Sequence, residues 1–218
     1  MANMRFPLQV VLAVALSFGA VGTAMADDVI GFFTAVQVDS ERAVKKAIAS
    51  GIDPNVRDPR SGETALIIAM REDSMNVFKA LLADPRTQLE LAAPNGNTAL
   101  MMAAYKRNKE AVLALLAKGA KVNRAGWSPL HYAAAGGADD IARILLKRGA
   151  ALDALAPGDL TPLMLAAREG QDSAVSLLLE AGANASLKSG EGLTAMQIAA
   201  RADKPLIVAI LCDRSPAR

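Results

Sequence analysis

Apolar residues in this chain gather in short runs with helical spacing. Leu163, Ala166 and Ala167 lie three and four apart, and Ala174, Leu177 and Leu178 repeat the spacing shortly afterwards, so each run places an apolar stripe along one face of a helix. Thr161 precedes the first run, where its hydroxyl can accept from an unpaired backbone N–H, and Pro162 supplies a helical φ at a position that needs no donor. Ser128-Pro129 repeats the device. Gly170 breaks the first helix and Asp172 or Ser173 opens a second. Gly182 ends that helix, as Gly51, Gly119 and Gly149 end their counterparts, because glycine takes the left-handed conformation that a helix exit often needs. Residues 158–190 thus predict two short antiparallel helices and a turn.

The unit recurs. Thr64-Ala65-Leu66-Ile67-Ile68-Ala69, Thr98-Ala99-Leu100-Met101-Met102-Ala103, Ser128-Pro129-Leu130-His131-Tyr132-Ala133, Thr161-Pro162-Leu163-Met164-Leu165-Ala166 and Thr194-Ala195-Met196-Gln197-Ile198-Ala199 begin 34, 30, 33 and 33 positions apart. A period near 33 on a Thr-Pro-Leu-His-x-Ala theme resembles the ankyrin repeat. The resemblance implies an all-α ankyrin-repeat solenoid of stacked helix-turn-helix units with short projecting hairpins, and a role in binding. It divides the chain into an N-terminal capping repeat (27–60), internal repeats at 61–94, 95–124, 125–157 and 158–190, a C-terminal capping repeat (191–213) and a tail (214–218). Helices this short are unstable alone, so stability must come from stacking of the columns Leu81 and Leu82, Leu115 and Leu116, Leu145 and Leu146, and Leu178 and Leu179.

Departures from the period carry more specific information. Residues 27–60 lack the repeated phrase, but Ser40 to Gly51 resembles a second helix, with Lys45 and Lys46 toward solvent. The second repeat ends in Ala83-Asp84-Pro85-Arg86 instead of a glycine exit. The third is three residues short, because Val122 to Trp127 compresses its hairpin. Both make the hairpin edge uneven.

Composition sets the context. Arg5 is followed by 21 uncharged residues, Phe6 to Ala26, closing in Ala24-Met25-Ala26 before Asp27-Asp28, the pattern of a secretory signal peptide cleaved after Ala26. An uncleaved anchor is the alternative, since such a stretch just spans a bilayer core of about 30 Å; the Gly- and Ala-rich segment after Phe18 favours cleavage. Removing residues 1–26 leaves 23 Lys and Arg against 22 Asp and Glu, a balance that argues against a nucleic-acid-binding protein. Cys212, the only cysteine, is expected to pack as a small apolar residue beside Leu206 to Leu211; an intermolecular bridge or reactive thiol is the alternative.

Catalytic or metal chemistry needs convergent side chains. His131 is the only histidine, and its column is otherwise Ile67, Met101, Met164 and Gln197, so no metal or cofactor site is expected; the family resemblance gives His131 a structural hydrogen-bonding role. Asp139-Asp140 falls where a second helix begins and reads as capping. Gly136-Gly137 reads as an interhelical loop, since no Lys-Ser/Thr follows it as in a phosphate-binding loop. The nine methionines read as core filler. An enzyme is not expected.

In ankyrin-like solenoids partners usually lie in the concave groove of first helices and hairpin tips. Carried over by position, the pairs facing it are Arg71-Glu72, Tyr105-Lys106, Ala135-Gly136, Arg168-Glu169 and Arg201-Ala202. Arg and Tyr combine contact area with hydrogen bonding, so Arg71, Tyr105, Lys106, Arg168, Glu169 and Arg201 are candidate partner-binding residues, with Trp127 as an aromatic anchor on the shortened hairpin. An ordinary solvated face, and packing of Trp127 on its own hairpin, are the alternatives. Ala135 interrupts the column, where a pocket is conceivable. The chain also resembles bacterial periplasmic ankyrin proteins, some associated with catalase and protection against peroxide. The expectation is therefore an exported, periplasmic, monomeric protein that binds another protein through its groove, with a catalase-type enzyme as the partner suggested by resemblance. A secreted effector or toxin-neutralising immunity-type protein is the alternative.

Overall fold

A computed structural model describes residues 27–213. The expected signal peptide, 1–26, and the tail, 214–218, lie outside the described residues. Twelve helices fill the described chain: α1 (27–37), α2 (Glu41–Ala49), α3 (Ala65–Arg71), α4 (Met75–Ala83), α5 (Ala99–Tyr105), α6 (Lys109–Ala117), α7 (Pro129–Ala135), α8 (Asp139–Lys147), α9 (Pro162–Glu169), α10 (Asp172–Glu180), α11 (Ala195–Arg201) and α12 (Pro205–Asp213). None is long and apolar enough to cross a membrane.

The helices form two layers. The odd-numbered helices α3, α5, α7, α9 and α11 each pack on the next, and each also packs on the even-numbered helix that follows it. One continuous core runs between the layers, with Leu66, Leu100, Leu130 and Leu163 from the odd layer meeting Leu81, Leu115, Leu145 and Leu178 from the even layer. Of the leucine pairs, the first member is buried every time, but Leu82, Leu146 and Leu179 are only half-buried and Leu116 alone matches its partner. The nine-residue outer helix turns its second leucine partly toward solvent.

Hydrogen bonds across repeats stitch the loop edge. Asn55 Oδ1 accepts from the Gln88 N–H at 2.7 Å, Glu90 Oε1 from Lys121 at 2.8 Å, Asn123 Oδ1 from Ala151 at 2.8 Å and Asp153 Oδ1 from Asn184 at 3.1 Å. Each bond satisfies a backbone donor beyond a helix exit with a side chain from the preceding repeat. Hairpin tips close at Asp58–Glu63, Ala93–Asn97, Ala156–Leu160 and Ser189–Leu193 through backbone bonds of 2.8 to 2.9 Å. The connection from α6 to α7 spans only 118–128, against 148–161 and 181–194 for the two that follow, and no equivalent closure forms there among the described residues. The row of tips therefore has a gap at the third position.

The second irregularity changes a helix exit beside an open junction. Without a glycine exit, Asp84 leaves α4 in an extended conformation (φ −76°, ψ 120°), its carboxylate accepts from Arg86, and the Thr87 hydroxyl donates to the Leu81 carbonyl at 2.6 Å. An apolar cleft of about 200 Å³ opens between α4 and α6, lined by Phe78, Leu82 and Ala114 and bridged by Lys79–Glu110 at 2.9 Å.

Two expectations change. Cys212 is exposed, not packed: α12 ends the described stack, Ile207 and Leu211, four apart on one face, are buried in the core with Val208 and Ile210 packed at its edge, and Cys212 falls outside that face. Asp139-Asp140 stands in the first turn of α8, where its charge suits the helix N-terminus, but neither residue is the N-cap. Ala138 occupies the N-cap, the Asp140 carboxylate accepts from the adjacent Ile141 N–H at 2.9 Å and pairs with Lys109 at 3.3 Å, and Asp139 Oδ1 is buried without a hydrogen-bond partner.

If stacking holds the fold, truncation inside the seam must cost far more than truncation beside it. Leu145→Ala is expected to lower unfolding free energy by about 2–5 kcal/mol, and Leu146→Ala by distinctly less, as read from urea denaturation of the purified chain.

Candidate interaction site

The column of side chains facing the groove comes from one position on the odd helices, the end of each short first helix. Arg71 closes α3, Tyr105 closes α5, Ala135 closes α7 and Arg201 closes α11, while Arg168 stands one residue before the end of α9. Each arginine is held by a neighbouring carboxylate. Arg71 pairs with Glu63 on its own hairpin and with Glu72 at 2.9 Å, Arg168 with Glu169 at 2.9 Å, and Arg201 with Glu191. These pairs are mostly solvent-facing and add little stability; they do hold the guanidinium groups in place along the groove. Lys106, at the C-cap of α5, is exposed and makes no ion pair among the described residues.

At the gap in the hairpin row the surface sinks into a cleft of about 290 Å³, lined by Tyr105, Trp127, Tyr132, Ala135, Arg168 and Glu169, among others. The short loop brings Trp127 down onto α7. Its ring lies 5.7 Å from His131 at 77° and 5.9 Å from Tyr132 at 60°, and Tyr132 meets Tyr105 edge-on at 6.2 Å and 89°. Such inclined contacts suit the ring quadrupoles. The Tyr132 hydroxyl donates to Asn97 Oδ1, and burial pushes its phenol above the ordinary range, so it stays a neutral donor. Ala135 supplies no side chain beyond Cβ, which leaves the floor open.

Glycines make this closeness feasible. A Cβ on Gly136 would stand 3.2 Å from the Tyr132 carbonyl oxygen and 3.3 Å from that of Tyr105, and one on Gly137, at φ +61°, would overlap the Gln171 amide. Gln171 Nε2 donates to the Ala135 carbonyl at 3.2 Å, so Gly136-Gly137 marks where three repeats converge beneath the cleft.

A second cleft of about 310 Å³ adjoins the first, lined by Leu160, Arg168, Leu193, Ile198 and Arg201 among others. Arg168 lines both. The structure thus brings Tyr105, Trp127, Arg168, Glu169 and Arg201 onto one continuous stretch of groove. Arg71 and Lys106 line neither cleft. Tyr132, absent from the sequence-based candidates, is the ring that joins the other two. Its column otherwise holds Ile68, Met102, Leu165 and Ile198, and a tyrosine among aliphatic residues was the available signal.

Beneath the cleft, His131 is fully buried. Its Nδ1 accepts from the Ser128 N–H at 3.1 Å and lies 2.8 Å from the Ser128 hydroxyl, while its Nε2 donates toward the carbonyls of Ala154 at 3.1 Å and Leu160 at 3.0 Å. That is the neutral Nε2–H tautomer, and it ties α7 to the next hairpin. Other repeats satisfy the same backbone donor differently, with Met101 Sδ on Thr98 at 3.5 Å, Met164 Sδ on Thr161 at 3.5 Å and Gln197 Oε1 on Thr194 at 2.9 Å. Only the imidazole reaches the next hairpin as well. Among the described residues no group of three or more His, Cys, Asp or Glu is placed to hold a metal ion.

Burial lowers the His131 pKa below its ordinary value, with the two carbonyl bonds opposing the shift. The folded state therefore binds fewer protons than the unfolded chain just below the unfolded value of about 6.5, so its stabilisation is complete above that pH and is lost as pH falls toward the folded pKa. Urea midpoints are expected to drop between about pH 7.5 and about pH 5.5, and His131→Gln, which retains an acceptor for Ser128, is expected to flatten that drop.

A family model described as ankyrin repeats (3 copies) matches residues 32–125, 75–155 and 152–217. The human transient receptor potential cation channel subfamily A member 1 is 35% identical over 118 residues, which is 53% of this chain and 10% of the relative. Human SH3 and multiple ankyrin repeat domains protein 2 is 39% identical over 100 residues, 44% of this chain and 5% of the relative. Mouse neurogenic locus notch homolog protein 1 is 35% identical over 114 residues, 51% of this chain and 4% of the relative. The chain spans a tenth or less of each relative, so the likeness concerns the repeats. With the family model covering nearly all of the stacked helix pairs, this chain belongs to the ankyrin-repeat family.

Proposed function

We propose that this chain is an exported binding protein that holds another protein in the groove formed by its odd helices and hairpin tips. Ankyrin repeats form a protein–protein interaction module, and the observation that carries the reading here is the aromatic cleft at the break in the hairpin row. Rigid rings with polar tips beside arginines are the chemistry of interface hot spots. Binding, not catalysis, also fits His131, whose two ring nitrogens are both committed inside the fold.

Export rests on the leader-like pattern of Arg5, the apolar stretch after it and Ala24-Met25-Ala26. A periplasmic destination and a stress-defence enzyme of the catalase type as partner rest on the resemblance to bacterial periplasmic ankyrin proteins, and they make the exported fraction the place to look.

The test is affinity capture from that fraction with the purified chain, against a variant carrying Arg71→Ala, Tyr105→Ala and Arg168→Ala, and against Leu113→Ala on an exposed face of α6. Capture of a specific protein is expected to fall about tenfold or more in the triple variant and to persist in Leu113→Ala. Undiminished capture by the triple variant would remove the groove from the account.

A further inference from the structure

The charges around the aromatic cleft are already matched. Arg168 Nε donates to Glu169 Oε1 at 2.9 Å, so the one cation and one anion in the wall are paired and the cleft has no net charge to favour a charged side chain. What remains is ring surface and donors. Tyr132 stands at 89° to Tyr105 and at 60° to Trp127. Among the described residues neither the Trp127 indole N–H nor the Tyr105 hydroxyl has a hydrogen-bond partner, whereas the Tyr132 hydroxyl is engaged by Asn97.

Ring faces beside unpaired donors complement a polyproline II segment. Such a segment has no internal hydrogen bonds, so its carbonyls need outside donors, and its prolyl rings stack on aromatic walls. Because the conformation is largely preformed, ordering it on binding costs little. The shape agrees. The cleft of about 290 Å³ shares Arg168 in its lining with a neighbouring cleft of about 310 Å³, and an extended chain is the form of ligand that can touch both.

We propose that the cleft takes an uncharged, proline-containing segment of the partner protein in the polyproline II conformation. Trp127 and Tyr105 form its walls and donate to its carbonyls. This rests on the groove being the binding face.

Trp127 is the only tryptophan, so its emission reports on the cleft directly. The full chain is titrated with a blocked oligoproline of about six residues, with a blocked oligoglycine of equal length and with tetramethylammonium chloride. The expected result is a saturable emission change with oligoproline alone, weakened about fivefold or more in Tyr105→Ala. Tyr105 is 54% exposed, so that variant keeps the fold, and its melting temperature checks that it does. The proposal falls if oligoproline gives no saturable change up to about 5 mM, if Tyr105→Ala binds it equally well, or if tetramethylammonium saturates in its place, which would mark a cation box. If oligoproline fails while partner capture still depends on Tyr105 and Arg168, the groove stands and only the occupant is wrong; if both fail, the groove falls too.

Discussion

Helices α2 to α12 run only seven to nine residues, and helices of that length do not persist in water, so every one of them depends on the repeat beside it. Leu115, Leu145 and Leu178 lie fully buried between the layers. The hydrogen bonds from Asn55, Glu90, Asn123 and Asp153 bind each loop to the next. Stability is thereby distributed along a line, each unit contributing its own term and a coupling to its neighbours. Such an assembly tolerates a local change in a loop, provided that the helical seam is kept.

The third repeat uses that tolerance. Shortening the connection between α6 and α7 removes a hairpin tip but leaves α5, α7 and α9 packed in sequence. Trp127 settles into the vacated space against His131 and Tyr132, and Ala135 leaves the floor beneath it open. His131 meanwhile anchors the hairpin that follows, so the walls of the cleft are held from below. The feature best suited to recognition lies where the repeat rule is broken, and the continuous packing of α5, α7 and α9 holds it in place.

Much of the architecture could be read from the residues because the repeat grammar is local: a capping Thr or Ser, a helical spacing of apolar residues, a glycine exit. Thr161 Oγ does accept from the Met164 N–H at 3.2 Å, and Gly51, Gly119, Gly149 and Gly182 do adopt positive φ. Features set by contacts between repeats were less legible. Tyr132 gains its importance from meeting Tyr105 of the preceding repeat as well as Trp127 on the loop before its own helix. The exposure of Cys212 depends on what α12 does and does not meet. The arginines at 71, 168 and 201 could be placed on a column, but their carboxylate partners follow from loop conformations that no spacing reveals. Asp139 and Asp140 do fall in the first turn of α8, one and two residues past the N-cap Ala138, but which residue takes the cap itself was not legible from their charge.

The central claim, that the shortened third hairpin creates the binding feature without being needed for the fold, is tested by restoring its length. Three residues inserted between Arg124 and Ala125 return the local spacing from 30 to 33 positions while keeping every cleft residue. Groove-dependent capture of the partner, measured beside the melting temperature of the same protein, should be lost while the melting temperature holds or rises. Capture that survives the insertion in a folded protein would contradict the account.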